Sequence, residues 1–411
     1  MEINFGSSVT NCNVIFDSSE NANYGFGNNN FWIHGRNWNG SATFPYGANS
    51  INCNGSSKLN KPVIIPNSVT DMYGAFLGCG NFNQNIQIPI NVTNMFITFS
   101  ECINLNQNIQ IPNNVVDIDS IFYNCRRLNQ NIKIPNGVSK CTQLFNGCSS
   151  LNQNIQIPNS VNNMQQVFFM CSNLNQNIQI PNSVTNMYWA FGGCSNLNQN
   201  IQIPNSVTNM VNAFRACYML NQNIQIPNSI QNMSGVFYLC YNLNQNILIP
   251  NSVTSIASSF TSCSKLNQNI QIPNSVTNMY KTFYDCYNLN QNIQIPNSVK
   301  NMQETFSECY NLNQNIQIPN SVTRVANAFM KCSNMTNITL LPTTMPVANW
   351  NGMIRNNASK SINIWTDDAT ALNMMNAGFI QGNVQPTMET IDNGYYNSQY
   401  NVYIYTNTVF N

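Results

Sequence analysis

Cysteine is the residue type in this sequence with the clearest capacity for chemistry. The chain of 411 residues contains fifteen cysteines, and twelve of them recur every 23 residues: Cys79, Cys102, Cys125, Cys148, Cys171, Cys194, Cys217, Cys240, Cys263, Cys286, Cys309 and Cys332. A metal site would need Cys-x-x-Cys pairs or nearby imidazoles, and the sequence offers no such pair and a single histidine. The spacing therefore predicts a ladder of buried free thiols that pack as small apolar groups, with no metal or cofactor.

Two further groups could do chemistry. Cys12 and Cys53 lie outside the ladder, and they could form a disulfide with each other. Asp285 and Glu308 occupy the same place, just before the cysteine, in adjacent repeats. A glycoside hydrolase needs two carboxylates about 5–9.5 Å apart, so this pair is the nearest to a catalytic site. Nothing in the sequence places it in a cleft, and we predict that the protein is not an enzyme.

The composition excludes other classes. There are 15 Lys and Arg, 14 Asp and Glu, and about one residue in five is Asn. The charged fraction of 7% lies far below the quarter of residues that is usual in globular proteins. Without an excess of basic residues, the protein has no electrostatic basis for binding nucleic acid. No apolar run is long enough to span a membrane, and no signal peptide is evident at the N-terminus. A hydrophobic fraction of 43% argues against disorder.

A repeat of 23 residues organises the chain. Proline marks it at Pro66, Pro89, Pro112, Pro135, Pro158, Pro181, Pro204, Pro227, Pro250, Pro273, Pro296 and Pro319. Within each repeat, a segment such as 177–180 alternates amides with isoleucines, which is typical of a half-buried strand. Apolar residues then follow at the spacing of one helical face, as in Val184, Met187 and Phe191. Each repeat is therefore predicted to be a strand followed by a short helical or 3-10 arc.

A single repeat cannot fold alone. The burial of its apolar side chains does not offset the conformational entropy lost when 23 residues become ordered. Stacked repeats share strands and a core, so we predict an α/β solenoid. The predicted regions are an N-terminal cap at 1–58, a solenoid at 59–342 with twelve repeats and a degenerate one, and a C-terminal cap or attachment region at 343–411.

The repeat resembles a known family. Its pattern Leu-x-x-x-Ile-x-Ile-Pro-x-x-Val-x-x-Met-x-x-x-Phe-x-x-Cys is similar to the BspA-type (treponemal) leucine-rich repeat from Leu59 to Met335. The Asn-Met-x-x-x-Phe phrase is also similar to asparagine-rich repeats of mycoplasmal surface proteins. The resemblance implies a right-handed superhelix with a parallel β-sheet on the concave side and arcs on the convex side. It also implies a surface or attachment role.

Two outward surfaces are candidates for binding. The strand positions carry amides, as in Asn85, Gln87, Asn108, Gln110, Asn200 and Gln202. They suit hydroxyl-rich ligands such as glycans, or they hydrogen-bond coil to coil. The arcs carry large aromatic side chains at Tyr188, Trp189, Tyr218, Tyr238, Tyr241, Tyr284, Tyr287 and Tyr310. They suit an interface, or they stack to cover the edge of the core.

These features together predict a non-enzymatic adhesion or scaffold protein. We expect it on a virion surface, most plausibly of a bacteriophage, where it mediates host attachment. The alternative is a cytoplasmic or cell-surface interaction protein of a microbe or protist. The expected partner is a protein or a host-surface glycan, and the ends of the chain could support a homo-oligomer or attachment to a larger assembly.

Overall fold

The repeats fold into coils of 23 residues whose backbones run parallel from one coil to the next. The computed structural model describes residues 2–4, 14–15, 30–341, 352–355, 362–376, 379–380, 388–391, 394–397 and 402–406. The chain forms two compact units, Met1–Val207 (unit 1) and Thr208–Asn411 (unit 2). Each unit contains six cysteines of the ladder and is built from stacked coils, which confirms the predicted solenoid.

Short parallel strands begin unit 1. They are β1 (Glu2–Asn4), β2 (Val14–Ile15), β3 (Asn30–His34), β4 (Ala42–Thr43), β5 (Ser50–Asn52) and β6 (Val63–Ile64). One sheet has the order β1-β3-β5 and the other β2-β4-β6, and all pairs are parallel. A parallel bridge from Ser50 to Asp71 joins β5 to the first full repeat. Parallel stacking therefore begins before residue 59, and the boundary at 58 stays a prediction.

A mixed sheet ends unit 2. Its strands are β7 (Ile316–Ile318), β8 (Asn337–Leu340), β9 (Ile362–Trp365), β10 (Glu389–Ile391), β11 (Gly394–Asn397) and β12 (Val402–Tyr405). They lie in the order β10-β11-β12-β9-β8-β7. β12 pairs with β9 on one side and with β11 on the other, so β10 lies at that edge of the sheet.

The only helix among the described residues is α1 (Asp368–Asn376). Asp367 caps it by accepting a hydrogen bond from the backbone N–H of Thr370 at 2.9 Å. Asp368 lies in the first turn, where a negative charge is favourable. The sequence pair Asp367-Asp368 is thus explained by the start of a helix.

The core consists of columns of identical side chains, one from each coil. The Leu, Val, Met, Phe and Cys columns and the first Ile of each repeat are buried, most of them completely. Neighbouring Phe rings stack with centroids 5.4–6.0 Å apart from Phe76 to Phe191 in unit 1. In unit 2 the distances from Phe214 to Phe329 are 5.5–6.1 Å. Burial and stacking both favour this arrangement.

The arc between Met and Cys is a chain of turns rather than a continuous helix. Alternate N–H groups bond within the coil, as from Ala75 to the Met72 carbonyl at 3.0 Å, or to the next coil, as from Phe76 to the Thr98 carbonyl at 2.8 Å. Two residues in each arc have positive φ, for example Gly74 (56°) and Gly78 (72°). Such residues interrupt an α-helix. The predicted 3-10 bonding is present within single turns, and the remaining N–H groups stack the coils.

The Asn-Ile-Gln-Ile segments differ from the expected strand. In most described coils the first Ile turns its N–H back to the Gln carbonyl two residues earlier, as from Ile178 to Gln176 at 3.0 Å. That N–H is then not available for a hydrogen bond to a neighbouring coil. Parallel bridges form instead at the residue before Met, for example Asn163 to Asn186 in unit 1. Among the described Asn-Ile-Gln-Ile segments, the one that forms β7 is a regular strand, and it pairs with β8.

Candidate interaction surfaces

The cysteine ladder is structural, and each thiol does more than fill space. All twelve side chains are fully buried. From Cys102 onward the thiol donates to the carbonyl of the Phe one coil back, with S–O distances of 2.9–3.2 Å in the ten bonds described. Burial raises the pKa of these thiols, for example those of Cys125 and Cys171. The ladder therefore joins coils by side-chain hydrogen bonds and has little thiolate character.

Two cysteines outside the ladder, Cys12 and Cys53, were predicted to be able to form a disulfide. Cys53 is a buried free thiol, and burial raises its pKa to about 12. Cys12 lies outside the described residues, so a disulfide between the two stays a prediction. Among the described residues, no cluster of His, Cys, Asp and Glu could hold a metal ion.

The amide ladder between coils lies at a different place from the one expected. The Asn that follows the core Leu accepts two hydrogen bonds from the next coil. Asn106 Oδ1, for example, accepts the backbone N–H of Asn129 at 2.9 Å and Gln130 Nε2 at 3.1 Å. The expected amides at Asn85, Gln87, Asn108, Gln110, Asn200 and Gln202 are exposed and make no side-chain bond to a neighbouring coil. The exposed amide row and the hydrogen-bonded amide ladder between coils are therefore formed by two different sets of residues.

A polar groove runs along this ladder in unit 2. Its volume is about 650 Å³, and its lining residues are Lys265, Asn267, Asn288, Asn290, Asn311, Asn313 and Asn334. They come from the two positions on either side of the core Leu, as in Asn288-Leu289-Asn290. Because Leu289 is fully buried, its two neighbours lie at the surface. The Asn-Leu-Asn motif can be read from the sequence, but the sequence pattern does not indicate that its two amides line a groove.

A tyrosine row follows the cysteine column of unit 2. The rings of Tyr218 and Tyr241 stack at 5.1 Å, and those of Tyr287 and Tyr310 are tilted at 5.4 Å. Tyr218, Tyr241 and Tyr287 nevertheless remain 40%, 39% and 49% exposed. The rings thus stack along the coils and still present area to solvent, and their role as an interface stays a prediction.

A hydrogen-bonded network holds the tyrosines near Glu308. Its carboxylate accepts from Tyr284 Oη at 3.1 Å and Tyr310 Oη at 3.2 Å, and it pairs with Lys331 Nζ at 2.8 Å. Partial burial disfavours the charge, but the bonds from Lys331 and Tyr284 outweigh it and lower the pKa of Glu308. Burial raises the pKa of Asp285 in the preceding coil. The Glu308 carboxylate thus holds the side chains of Tyr284, Tyr310 and Lys331 in place. Neither Glu308 nor Asp285 lines the groove.

The remaining predicted aromatic residues are one tyrosine of unit 2 and two residues of unit 1. The guanidinium of Arg215 lies over the ring of Tyr238 at 4.0 Å in unit 2. Tyr188 and Trp189 belong to unit 1, where Trp189 packs edge-on against Phe169 at 5.2 Å and against Tyr188 at 6.3 Å. Tyr188 and Trp189 are half-buried. The eight predicted residues are therefore divided between the two units, six of them in unit 2.

Comparison with known proteins identifies the repeat. A family described as "Mycoplasma protein of unknown function, DUF285" matches residues 54–158, 208–318 and 254–367, more than half of the chain. The "BspA type Leucine rich repeat region (6 copies)" matches residues 119–244. No helix in the described part of the chain is long and apolar enough to cross a membrane.

Solved structures also match. A leucine-rich repeat protein from Bacteroides ovatus is 26% identical, with a TM-score of 0.62, and the match covers 74% of this chain and 79% of that one. A leucine rich cell surface protein from Faecalibacterium prausnitzii is 19% identical, with a TM-score of 0.44 over 89% and 87% of the two chains. No protein with a curated description matches. The chain belongs to the DUF285 family of mycoplasma proteins of unknown function and is built from BspA-type leucine-rich repeats.

Proposed function

We propose that the protein is a non-enzymatic adhesion or scaffold protein that binds a macromolecular partner through the tyrosine surface of unit 2. We define this surface by Tyr218, Tyr238, Tyr241, Tyr284, Tyr287 and Tyr310. The observation that carries the proposal is that three of these rings stay 39–49% exposed although the row is ordered by stacking. Tyrosine offers large amphipathic contact area at a low cost in conformational entropy.

The side chains of the tyrosine surface are already ordered before a partner binds, and this supports the proposed role. Tyr284 and Tyr310 are held by Glu308, and Tyr238 is held by Arg215. A surface that is already ordered loses less side-chain freedom when a partner binds, and this increases affinity. Leucine-rich repeats with an exposed aromatic row therefore favour protein interaction over catalysis.

The catalytic alternative has less support. A glycosidase acid needs a raised pKa and a partner carboxylate free to act. Asp285 has the raised pKa, but Glu308 is occupied by two tyrosines and Lys331. The two acids are better explained as part of the ordered surface.

The place of action stays a prediction. A virion surface rests on the surface role of similar repeats, whereas the match to a mycoplasma family favours the alternative of a microbial interaction protein. Proteomics of purified virus particles separates the two, because absence from the particles would exclude the virion. The same absence would leave the binding role of the tyrosine surface untouched.

Binding of the labelled protein to intact host cells tests the surface itself. We expect the double variant Tyr218→Ala, Tyr241→Ala to bind at least tenfold more weakly, since it removes a stacked and exposed pair. The matched control is Ser172→Ala, Ser195→Ala, which changes the equivalent positions after the cysteine in unit 1. Equal binding by the tyrosine variant and the wild type would refute the proposal.

A further inference from the structure

The groove of unit 2 has an unusual supply of free hydrogen-bond donors. Asn267 and Asn290 use Oδ1 to accept the backbone N–H of the next coil, both at 2.9 Å. Asn288 uses Oδ1 to accept Asn311 Nδ2 at 3.2 Å. The Nδ2 groups of Asn267, Asn288 and Asn290 have no partner among the described residues. Each carboxamide is therefore fixed by its oxygen and presents an unused N–H pair.

We infer that this groove binds a neutral, hydroxyl-rich polysaccharide. The lining residues of the groove are not part of the proposed tyrosine surface, but Tyr287 and Tyr310 of that surface precede two of them in the sequence. A hydroxyl group accepts and donates, so it can accept from the free Nδ2 groups and donate to the oxygens of Asn288 and Asn311, each of which accepts one described bond. Six of the seven lining side chains are uncharged amides, and Lys265 is the one charge, so the groove offers little to a strongly charged polymer.

The regular spacing of the donors favours a polymer over a small molecule. Asn-Leu-Asn recurs at residues 288–290 and 311–313, and the core Leu is fully buried in both. Stacked backbones lie about 4.8 Å apart, so the free donors of Asn267 and Asn290, which occupy the same position in adjacent coils, recur at that interval. A chain of identical sugar units meets the same donor on both coils, and weak contacts then add within one molecule.

An extended peptide fits the groove less well. A peptide that adds a strand needs free backbone groups and pockets for alternate side chains. The backbone N–H groups of Asn288, Asn290 and Asn311 are already bonded to Ser264, Asn267 and Tyr287. None of the lining residues is apolar. Side chains, namely the six amides and Lys265, remain to bind a ligand.

Two tyrosines are sequence neighbours of the groove amides. Tyr287 and Tyr310 immediately precede Asn288 and Asn311, and Tyr287 is 49% exposed. The C–H face of a pyranose ring is apolar and packs on an aromatic ring, while its hydroxyls reach neighbouring amides. The combination of tyrosine and asparagine on adjacent residues is thus suited to sugar rings.

Affinity gel electrophoresis with dextran, mannan, galactan and a linear β-glucan tests the inference. We expect at least one of these neutral polysaccharides to retard the protein. The double variant Asn267→Asp, Asn290→Asp keeps the oxygen that stacks the coils and loses the free donors. It should bind at least tenfold more weakly, about 1.4 kcal/mol.

The control is Asn129→Asp, Asn152→Asp. These residues accept the same coil-to-coil bonds in unit 1, and we expect retardation to be unchanged. If thermal melting reveals that the double variant is unfolded, Asn288→Asp replaces it, because this change removes only an unused donor. Retardation by none of the neutral polysaccharides, by heparin or a peptide alone, or equally for wild type and groove variants would overturn the inference. Cell binding that depends on Tyr218 and Tyr241 would survive each of these outcomes.

Discussion

At the scale of single residues, the cysteine column has two functions. The thiol fills a narrow place in the core and donates to a carbonyl of the preceding coil, as from Cys171 to Phe145 at 3.1 Å. That carbonyl also accepts the N–H of Cys148 within its own coil. A side chain slightly larger than alanine that carries a donor meets both requirements. The sequence predicted the burial, but the bonding partner lies 26 residues away and is set by the stacking.

The buried thiols predict a loss of stability at alkaline pH. Burial raises their pKa values above the ordinary value of about 9, so the folded state keeps protons that the unfolded chain releases. Their contribution is complete below pH 9 and is lost as the pH rises toward the folded-state values. At pH 10 each thiol favours unfolding by about 1.4 kcal/mol.

Urea unfolding followed by circular dichroism at pH 7 and pH 10 measures this effect. We expect a much lower midpoint at pH 10. Cys171→Ala is the matched control, because it removes one titrating thiol and should reduce the difference between the two pH values by about 1.4 kcal/mol. A midpoint that does not change with pH would contradict the role assigned to burial.

At the scale of the element, the arc combines turns with a ladder. The spacing of Val184, Met187 and Phe191 fits one face of a helix, and it fits a series of turns equally well. What distinguishes them is the backbone, which has positive φ at Ile97, Glu101 and Trp189. Side chains of these types rarely adopt that conformation, so the residues at these three positions carry no signal for it. The columns of the core were predictable because periodicity alone determines them, whereas the path between them depends on bonds to the next coil.

The turn just before the cysteine predicts opposite effects of two substitutions. Gly78 and Glu101 occupy this position in adjacent coils, with φ of 72° and 61°. Gly78→Ala should destabilise unit 1 by about 1 kcal/mol, because left-handed geometry costs an L-residue about that much. A Cβ atom there would meet nothing closer than 3.8 Å, so the backbone alone accounts for the cost. Glu101→Gly should be neutral or stabilising by up to about 1 kcal/mol.

Thermal melting of the two variants measures the difference. Gly80→Ala serves as the control, because a Cβ atom at Gly80 meets only one atom at 3.9 Å and its φ is not in the left-handed region. We expect this variant to melt at or above the wild-type temperature. Stabilisation by Gly78→Ala would show that the left-handed turn is not required.

At the scale of the whole molecule, the amide ladder explains how a chain with 7% charged residues forms a stable array. Adjacent coils are joined by bonds to a carboxamide oxygen, by a thiol that donates to a carbonyl, and by N–H bonds to turn carbonyls. These bonds recur at offsets of 22 to 26 residues. Neutral groups can be stacked in identical rows, whereas identical charges in a row would repel each other. Low charge is therefore a condition of this architecture. The groove was not predicted because it depends on which amides the ladder leaves unused.

The same regularity predicts that a whole coil can be removed. Deletion of residues 152–174 in unit 1 joins Leu151 to Asn175, two residues that follow each other in the repeat. Asn175 then meets Asn129 in the place of Asn152, so every column and ladder is restored. Because stability in such arrays is a sum over coils and their interfaces, we expect a folded protein with a modestly lower melting temperature. Deletion of residues 152–163 is the control. It removes about half a coil, displaces the Phe and Cys columns, and should abolish the cooperative transition seen by circular dichroism. Cooperative unfolding of the half-coil deletion, or loss of structure in the whole-coil deletion, would mean that the coil is not the unit of stability.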